Sequence, residues 1–233
     1  MYKRQPSICI IDSGIQESHR LLSPFIFSDT SHCFLPGEES VADEVANGGH
    51  GTRVAGAAIY PEEIPKDGEF SAPFWIENAR VLNGNCKIPP RVLPATLMAA
   101  VIKRFHINGR KTKIFNHSIN AVSPCRLKHM SSWAAAIDAL SFENDILVVQ
   151  SAGNIKLGTG LQNLLGIQEH LAAGRLYPEF LVEASSRVAN PGQSLQALTV
   201  GSVTYGQFVG DVRCSMSKLP SEPSPFSLSL IHI

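Results

Sequence analysis

A β-strand with one wet face alternates apolar and polar side chains. The first strand-like run of this chain does not: residues 8–11 read ICII and lead straight into Asp12-Ser13-Gly14. Residues 146–150 (ILVVQ) behave in the same way, and 78–82 (NARVL), 113–116 (KIFN) and 197–201 (ALTVG) read as further short strands. Runs that stay apolar belong to parallel strands covered on both faces. Between them, residues 94–106 (PATLMAAVIKRFH) and 131–143 (SSWAAAIDALSFE) carry apolar side chains at helical spacing, the second with Ser131 or Ser132 as its N-cap. Strand and helix in alternation predict an α/β fold, a three-layer sandwich with a central parallel sheet and right-handed crossovers.

No linker divides the chain convincingly. Residues 60–74 and 84–91 are Pro- and charge-rich loops, and 155–190 form a long, weakly patterned insertion with a helix expected near 161–173. One domain over residues 1–233 is therefore expected, and with 44% hydrophobic and 17% charged residues it has the profile of a folded core. Lys+Arg and Asp+Glu both number 20, so charge gives no case for a nucleic-acid partner. No run approaches the roughly 18 apolar residues of a membrane span, so no membrane partner is expected. The five cysteines, Cys9, Cys33, Cys86, Cys125 and Cys214, are scattered and show no C-x-x-C or Cys/His metal spacing. They read as free thiols and, with no signal peptide visible after MYKRQPS, favour a cytoplasmic location. MYKRQ at the start and LSLIHI at the finish resemble translated library adapter. Residues 1–5 and 228–233 are accordingly expected to be non-native, with the native chain continuing past both ends.

The stretch NGGHGTRVAGAAI, residues 47–59, opens a helix whose buried face is Val54, Ala55, Ala58 and Ile59. Gly48, Gly49 and Gly51 at its entrance allow close approach of other backbone or of a ligand. His50 sits at the helix N-terminus, where the dipole disfavours the imidazolium; the ring is then expected to accept a proton near neutrality, as a general base must. Alone, it could equally be a surface histidine in a turn. In an open α/β sheet, however, ligands gather beyond the carboxyl ends of strands. There the sequence offers Asp12 after the first strand, Ser118, Ile119 and Asn120 after the third, and Ser151, Ala152, Gly153 and Asn154 after the fourth. A carboxylate, an imidazole and a side-chain amide are three of the four parts of an acyl-transfer site.

ICIIDSGI, GGHGTRVAGAAI, IFNHSINA and VVQSAGN resemble, in the same order, the Asp, His, substrate-wall and oxyanion segments of the subtilisin-like serine proteases (subtilases, peptidase family S8). ANPGQSLQALTVGSVT, residues 189–204, is similar to that family's next core strand, so the resemblance spans residues 7–227. It implies a subtilisin-like fold and serine-type endopeptidase activity on a polypeptide substrate. By the same resemblance Asp12 is the triad acid, His50 the base and Asn154 the oxyanion donor. Ser118, Ile119 and Asn120, with Ser151, Ala152 and Gly153, would be the two edges between which a substrate strand lies. Ile119 and Asn120 replace the family's usual Leu-Gly, which alters the nearby pocket. Calcium is implied by the family alone; no cluster of oxygen ligands stands out, and no metal or other cofactor is identifiable.

The family's G-T-S-x-A/S-x-P segment, which carries the nucleophile, does not occur in these residues. The GTG at 158–160 is followed by Leu161, Ser13 reads as a turn residue, and Ser215, Ser217, Ser221, Ser224, Ser227 and Ser229 fall in a Pro-containing stretch without an oxyanion-forming glycine. The expectation is a fold lacking its C-terminal part, truncated before the serine and inactive as it stands. A catalytically inactive peptide-binding protein of the same fold is the alternative. An aspartic protease built on D-S-G would need a second such motif or a homodimer and leaves His50 and Asn154 unexplained. His117 is expected on the opposite strand face from Ser118, His19 in a structural role, and His106, His129 and His170 as solvated helix residues.

Overall fold

A computed structural model describes residues 5–45, 49–161 and 164–204, with short pieces at 208–209, 212–213 and 222–224. The chain forms two compact units, residues 1–118 with 136–149, and residues 119–135 with 150–233.

The first unit is organised around β1 (Ser7–Asp12), which pairs in parallel with both β3 (Trp75–Arg80) and β4 (Ile114–His117). Cys9, Ile10 and Ile11 are all buried, as a strand covered on both faces requires. On one face Ile10 and Ile76 join Ile15, Ala55 and Ile59 in a single cluster, the last two supplied by α1 (His50–Ile59). Full burial of each of these isoleucine side chains contributes about 1.5–3 kcal/mol. A two-residue strand, β2 (His32–Cys33), edges β3 and had no sequence signal of its own.

Helix α2 (Pro94–Ile102) starts with proline, where a missing N–H costs nothing, and buries Leu97, Met98, Val101 and Ile102. The predicted stretch to residue 106 continues as one π-helical turn, Lys103–Ile107, closed by Asn108 N–H donating to the Lys103 carbonyl at 2.9 Å. Helix α3 (Ser132–Asn144) is capped by Ser131, whose Oγ accepts from Ala134 N at 3.1 Å, so the cap is the first of the two candidate serines.

The strand order is β2-β3-β1-β4-β5-β6, with β5 at Leu147–Ser151 and β6 at Leu198–Val200. The three-layer α/β arrangement with a central parallel sheet is thus present. Chain order skips across β1 between β3 and β4, which makes the carboxyl end of β1 a topological switch point. Asp12 is the last residue of β1.

In the second unit the expected helix near 161–173 is shorter, α4 (Ile167–Ala172), and residues 162–163 lie outside the described residues. Ile155, Ile167, Phe180, Leu181 and Ala189 form its core. A two-stranded antiparallel ladder, β7 (Phe208–Val209) with β8 (Val212–Arg213), lies further along the chain. Cys9, Cys33, Cys86 and Cys125 are free thiols. Cys214 and the serines weighed at 215, 217, 221, 227 and 229 lie outside the described residues. Among the described residues no helix is long and apolar enough to cross a membrane.

Candidate active site

Beyond β1 the chain turns sharply. Gly14 takes φ +99°, and a Cβ there would stand 2.5 Å from the Val41 carbonyl oxygen, so the turn that follows Asp12 needs glycine. The Asp12 side chain is 1% exposed and its Oδ1 accepts from Ser13 N at 2.7 Å. His50 Nδ1 lies 2.8 Å from Asp12 Oδ1 and 2.9 Å from Oδ2, bridging 38 positions of sequence.

What holds His50 there is the start of α1. Its N-cap position is Gly49, which has no side chain to satisfy the first N–H groups. Remote groups do this instead. Ser13 Oγ accepts from Gly51 N at 2.9 Å, and Asp43 Oδ2 accepts from both Thr52 N and Thr52 Oγ1 at 3.0 Å. Ser13 Oγ in turn donates to Asp43 Oδ1 at 3.0 Å. Any side chain at 49 would collide with the Asp43 carboxylate, and one at 51 with the Gly14 carbonyl. The two glycines therefore let the helix abut the turn and bring the imidazole onto the acid.

Asp43 is buried, carries this network, and was not singled out in the sequence. The available signal was a helix start with no cap of its own, downstream of an acidic stretch. That stretch is itself pinned by Arg80, the residue paired with Asp12 across β3. The Arg80 side chain is 1% exposed; its Nη2 donates to Glu38 Oε2 at 2.8 Å and Glu44 Oε2 at 2.9 Å, and its Nη1 to the Ser40 carbonyl at 2.9 Å.

The electrostatics correct one expectation. The helix N-terminus was expected to hold the His50 pKa down, but it is raised above its ordinary value, chiefly by the hydrogen bond to Asp12. Partial burial opposes the shift, while the charges of Asp12 and Asp43 reinforce it. A carboxylate in direct contact favours the charged ring.

The other expected residues are placed as follows. Ser118 Oγ donates to Asn116 Oδ1 at 2.9 Å. Ile119 is buried and its carbonyl accepts from Gln150 Nε2 at 3.1 Å. Asn120 Nδ2 donates to the Ser151 carbonyl at 2.9 Å, and Ser151 Oγ donates back to Asn120 Oδ1. The amide that replaces the family's glycine thus ties the two expected edges together. Ala152 is buried, with its N–H given to the Val200 carbonyl and its carbonyl taking Ala189 N, both at 2.8 Å. Its backbone is engaged within the fold. Gly153 has φ +95°, and Asn154 after it is exposed, bordering a narrow cleft with Pro124, Lys156 and Ser185.

Two histidines expected in solvent are not there. His170 is fully buried, with Nε2 2.9 Å from Ser185 Oγ and its ring stacked on Phe180. His106 is half-buried, with Nδ1 2.9 Å from the Thr112 carbonyl. Among the described residues no three His, Cys, Asp or Glu side chains are grouped to hold a metal ion.

Comparison with known proteins bears on the fold and the family. A curated protein of Sinorhizobium fredii, the uncharacterized protein y4bN, is 34% identical over 103 residues, which is 42% of this chain and 22% of that protein. A serine-to-alanine variant of the protease domain of PatA superposes with a TM-score of 0.54 at 16% identity, over 97% of this chain and 62% of that one. The subtilisin-like protease Apa1 of the Antarctic psychrotroph Pseudoalteromonas sp. AS-11 gives 0.54 at 18%, over 86% and 36%. The nisin leader peptidase NisP of Lactococcus lactis gives 0.50 at 20%, over 85% and 56%. These structural likenesses are of fold, and the chain spans less than two thirds of each protein matched. The model of the subtilase family matches residues 3–230, and the chain belongs to that family.

Proposed function

We propose that these residues carry the acid and base of a serine-type endopeptidase, with the nucleophilic serine on a segment downstream of residue 233. The observation that carries this reading is the contact of His50 Nδ1 with both oxygens of a buried Asp12. That contact holds the proton on Nδ1 and leaves Nε2 to take a proton from a hydroxyl and return it to the leaving amine. Asn154 would donate to the developing oxyanion, an interaction whose loss typically costs about 2.7–4 kcal/mol in the transition state. Family membership, the sequence resemblance and the absence of a G-T-S-x-A/S-x-P motif from these residues support the assignment. A polypeptide substrate follows from it.

The test compares the 233-residue chain with a protein extended through its native downstream frame. Loss of the serine from such a site costs about 10⁶ in turnover. The short chain should show no peptidase activity and no labelling by a fluorophosphonate probe; the extended one should gain both and lose hydrolysis on His50→Ala. Stoichiometric labelling of the short chain at one serine would overturn the downstream placement. An extended protein that binds peptides without cleaving them would favour the inactive peptide-binding alternative.

A further inference from the structure

The second unit carries a groove of about 470 Å³ that the protease reading does not use. Its lining includes Arg126, Lys128, His129 and Arg187, with Pro124 and Ser185, and, among the described residues, no carboxylate. The chain as a whole is charge-balanced, so this is a local concentration of positive charge. Arg187 is held in place by two backbone carbonyls, its Nε donating to Ala184 O at 3.1 Å and its Nη1 to Cys125 O at 3.5 Å. Glu183, the nearest acid in sequence, is drawn away to Arg175 at 3.3 Å. Arg126, Lys128 and His129 are exposed. Pro124 and Ser185 also border the cleft that contains Asn154, so groove and cleft share a wall.

We infer that this groove binds an acidic segment of a polypeptide, running on from the Asn154 cleft. The link to cleavage rests on the protease reading; the binding itself does not. Two guanidinium groups and an ammonium around one concavity match a run of Asp and Glu side chains, and Arg pairs with carboxylates through two parallel hydrogen bonds. A nucleic acid is disfavoured because the described lining residues include no Phe, Tyr or Trp to stack a base and the chain is charge-balanced overall. Exposed pairs of this kind contribute modestly and are screened by salt, so specificity comes from several acting together.

The experiment measures binding of fluorescent peptides to the 233-residue chain by anisotropy at low and physiological salt. An Asp/Glu-rich peptide should bind at least about tenfold more tightly than its Asn/Gln isostere, with each lost charge costing roughly threefold. Arg126→Glu with Lys128→Glu should abolish the preference, whereas Lys66→Glu in a loop of the first unit should not. Circular dichroism and thermal melts of each variant establish that folding is retained. Binding is read on the 233-residue chain without turnover, so failure of hydrolysis in the extended protein would leave this inference standing. Equal affinity for the acidic peptide and its isostere, or an unchanged preference in the double reversal, would overturn it. Tighter binding of a single-stranded oligonucleotide of the same charge would assign the groove to nucleic acid instead.

Discussion

His50 and Asp12 form a pair whose behaviour can be followed by titration. Since the folded pKa of His50 lies above its ordinary value near 6.5, the folded chain holds the proton more tightly than the unfolded one. The stabilisation from the pair is complete below that ordinary value and is lost as pH rises through the folded pKa. Asp12→Asn removes the largest cause, so the His50 pKa, read from its ring-proton NMR shifts, should fall; an unchanged value would show that the contact does not govern the ring. Asp43→Ala should leave Thr52 N and the Ser13 hydroxyl without their acceptor and cost about 1–3 kcal/mol in thermal or urea unfolding. It should also disturb the His50 titration, which a merely peripheral carboxylate would leave alone. Asp12 and His50 were legible from the sequence because each closes a recognisable local pattern. Asp43 was not, since nothing near it shows which distant N–H groups it will meet.

At the scale of elements, α1 is a short helix capped by groups that are not its own. Gly51→Ala would drive a methyl into the Gly14 carbonyl, which as backbone cannot swing aside, and should destabilise by about 1–3 kcal/mol. Gly56→Ala in the same helix meets nothing within 4 Å and should stabilise by about 0.5–1 kcal/mol, so paired melts of the two variants separate close approach from helix propensity. Helix α4 uses the opposite device, a cap from within. Glu169 accepts from Thr159 N and Gly160 N at 2.8 Å and from Gly166 N at 2.9 Å, and these bonds hold its pKa down to about 2. Its contribution is therefore present above the ordinary value near 4.5 and is lost as pH falls toward about 2. In Glu169→Gln that acid-dependent part of the unfolding profile should disappear. The strands were anticipated to within a few residues because their apolar runs are local. The two-residue β2 and the shortened α4 were missed because neither carries a periodic pattern of its own.

For the whole molecule, the strand order decides where the first strand's polar end falls. The crossing from β3 to β4 over β1 makes the carboxyl end of β1 a topological switch point, and Asp12 stands at that end. Sequence alone determined the fold class, because hydrophobic periodicity and turn chemistry are written within a dozen residues, and the order of its motifs pointed to the family and singled out Asp12 and His50 as candidates. Tertiary structure alone decided that Arg80 clamps the acidic stretch from Glu38 to Glu44, that His170 is buried rather than solvated, and that Asn120 bridges to Ser151. Each of those contacts joins segments far apart in the chain or hides a polar group beneath them. A hydrogen-bond partner 30 or 40 positions away leaves no trace in the local pattern; it exists only once burial has forced every enclosed donor and acceptor to find one.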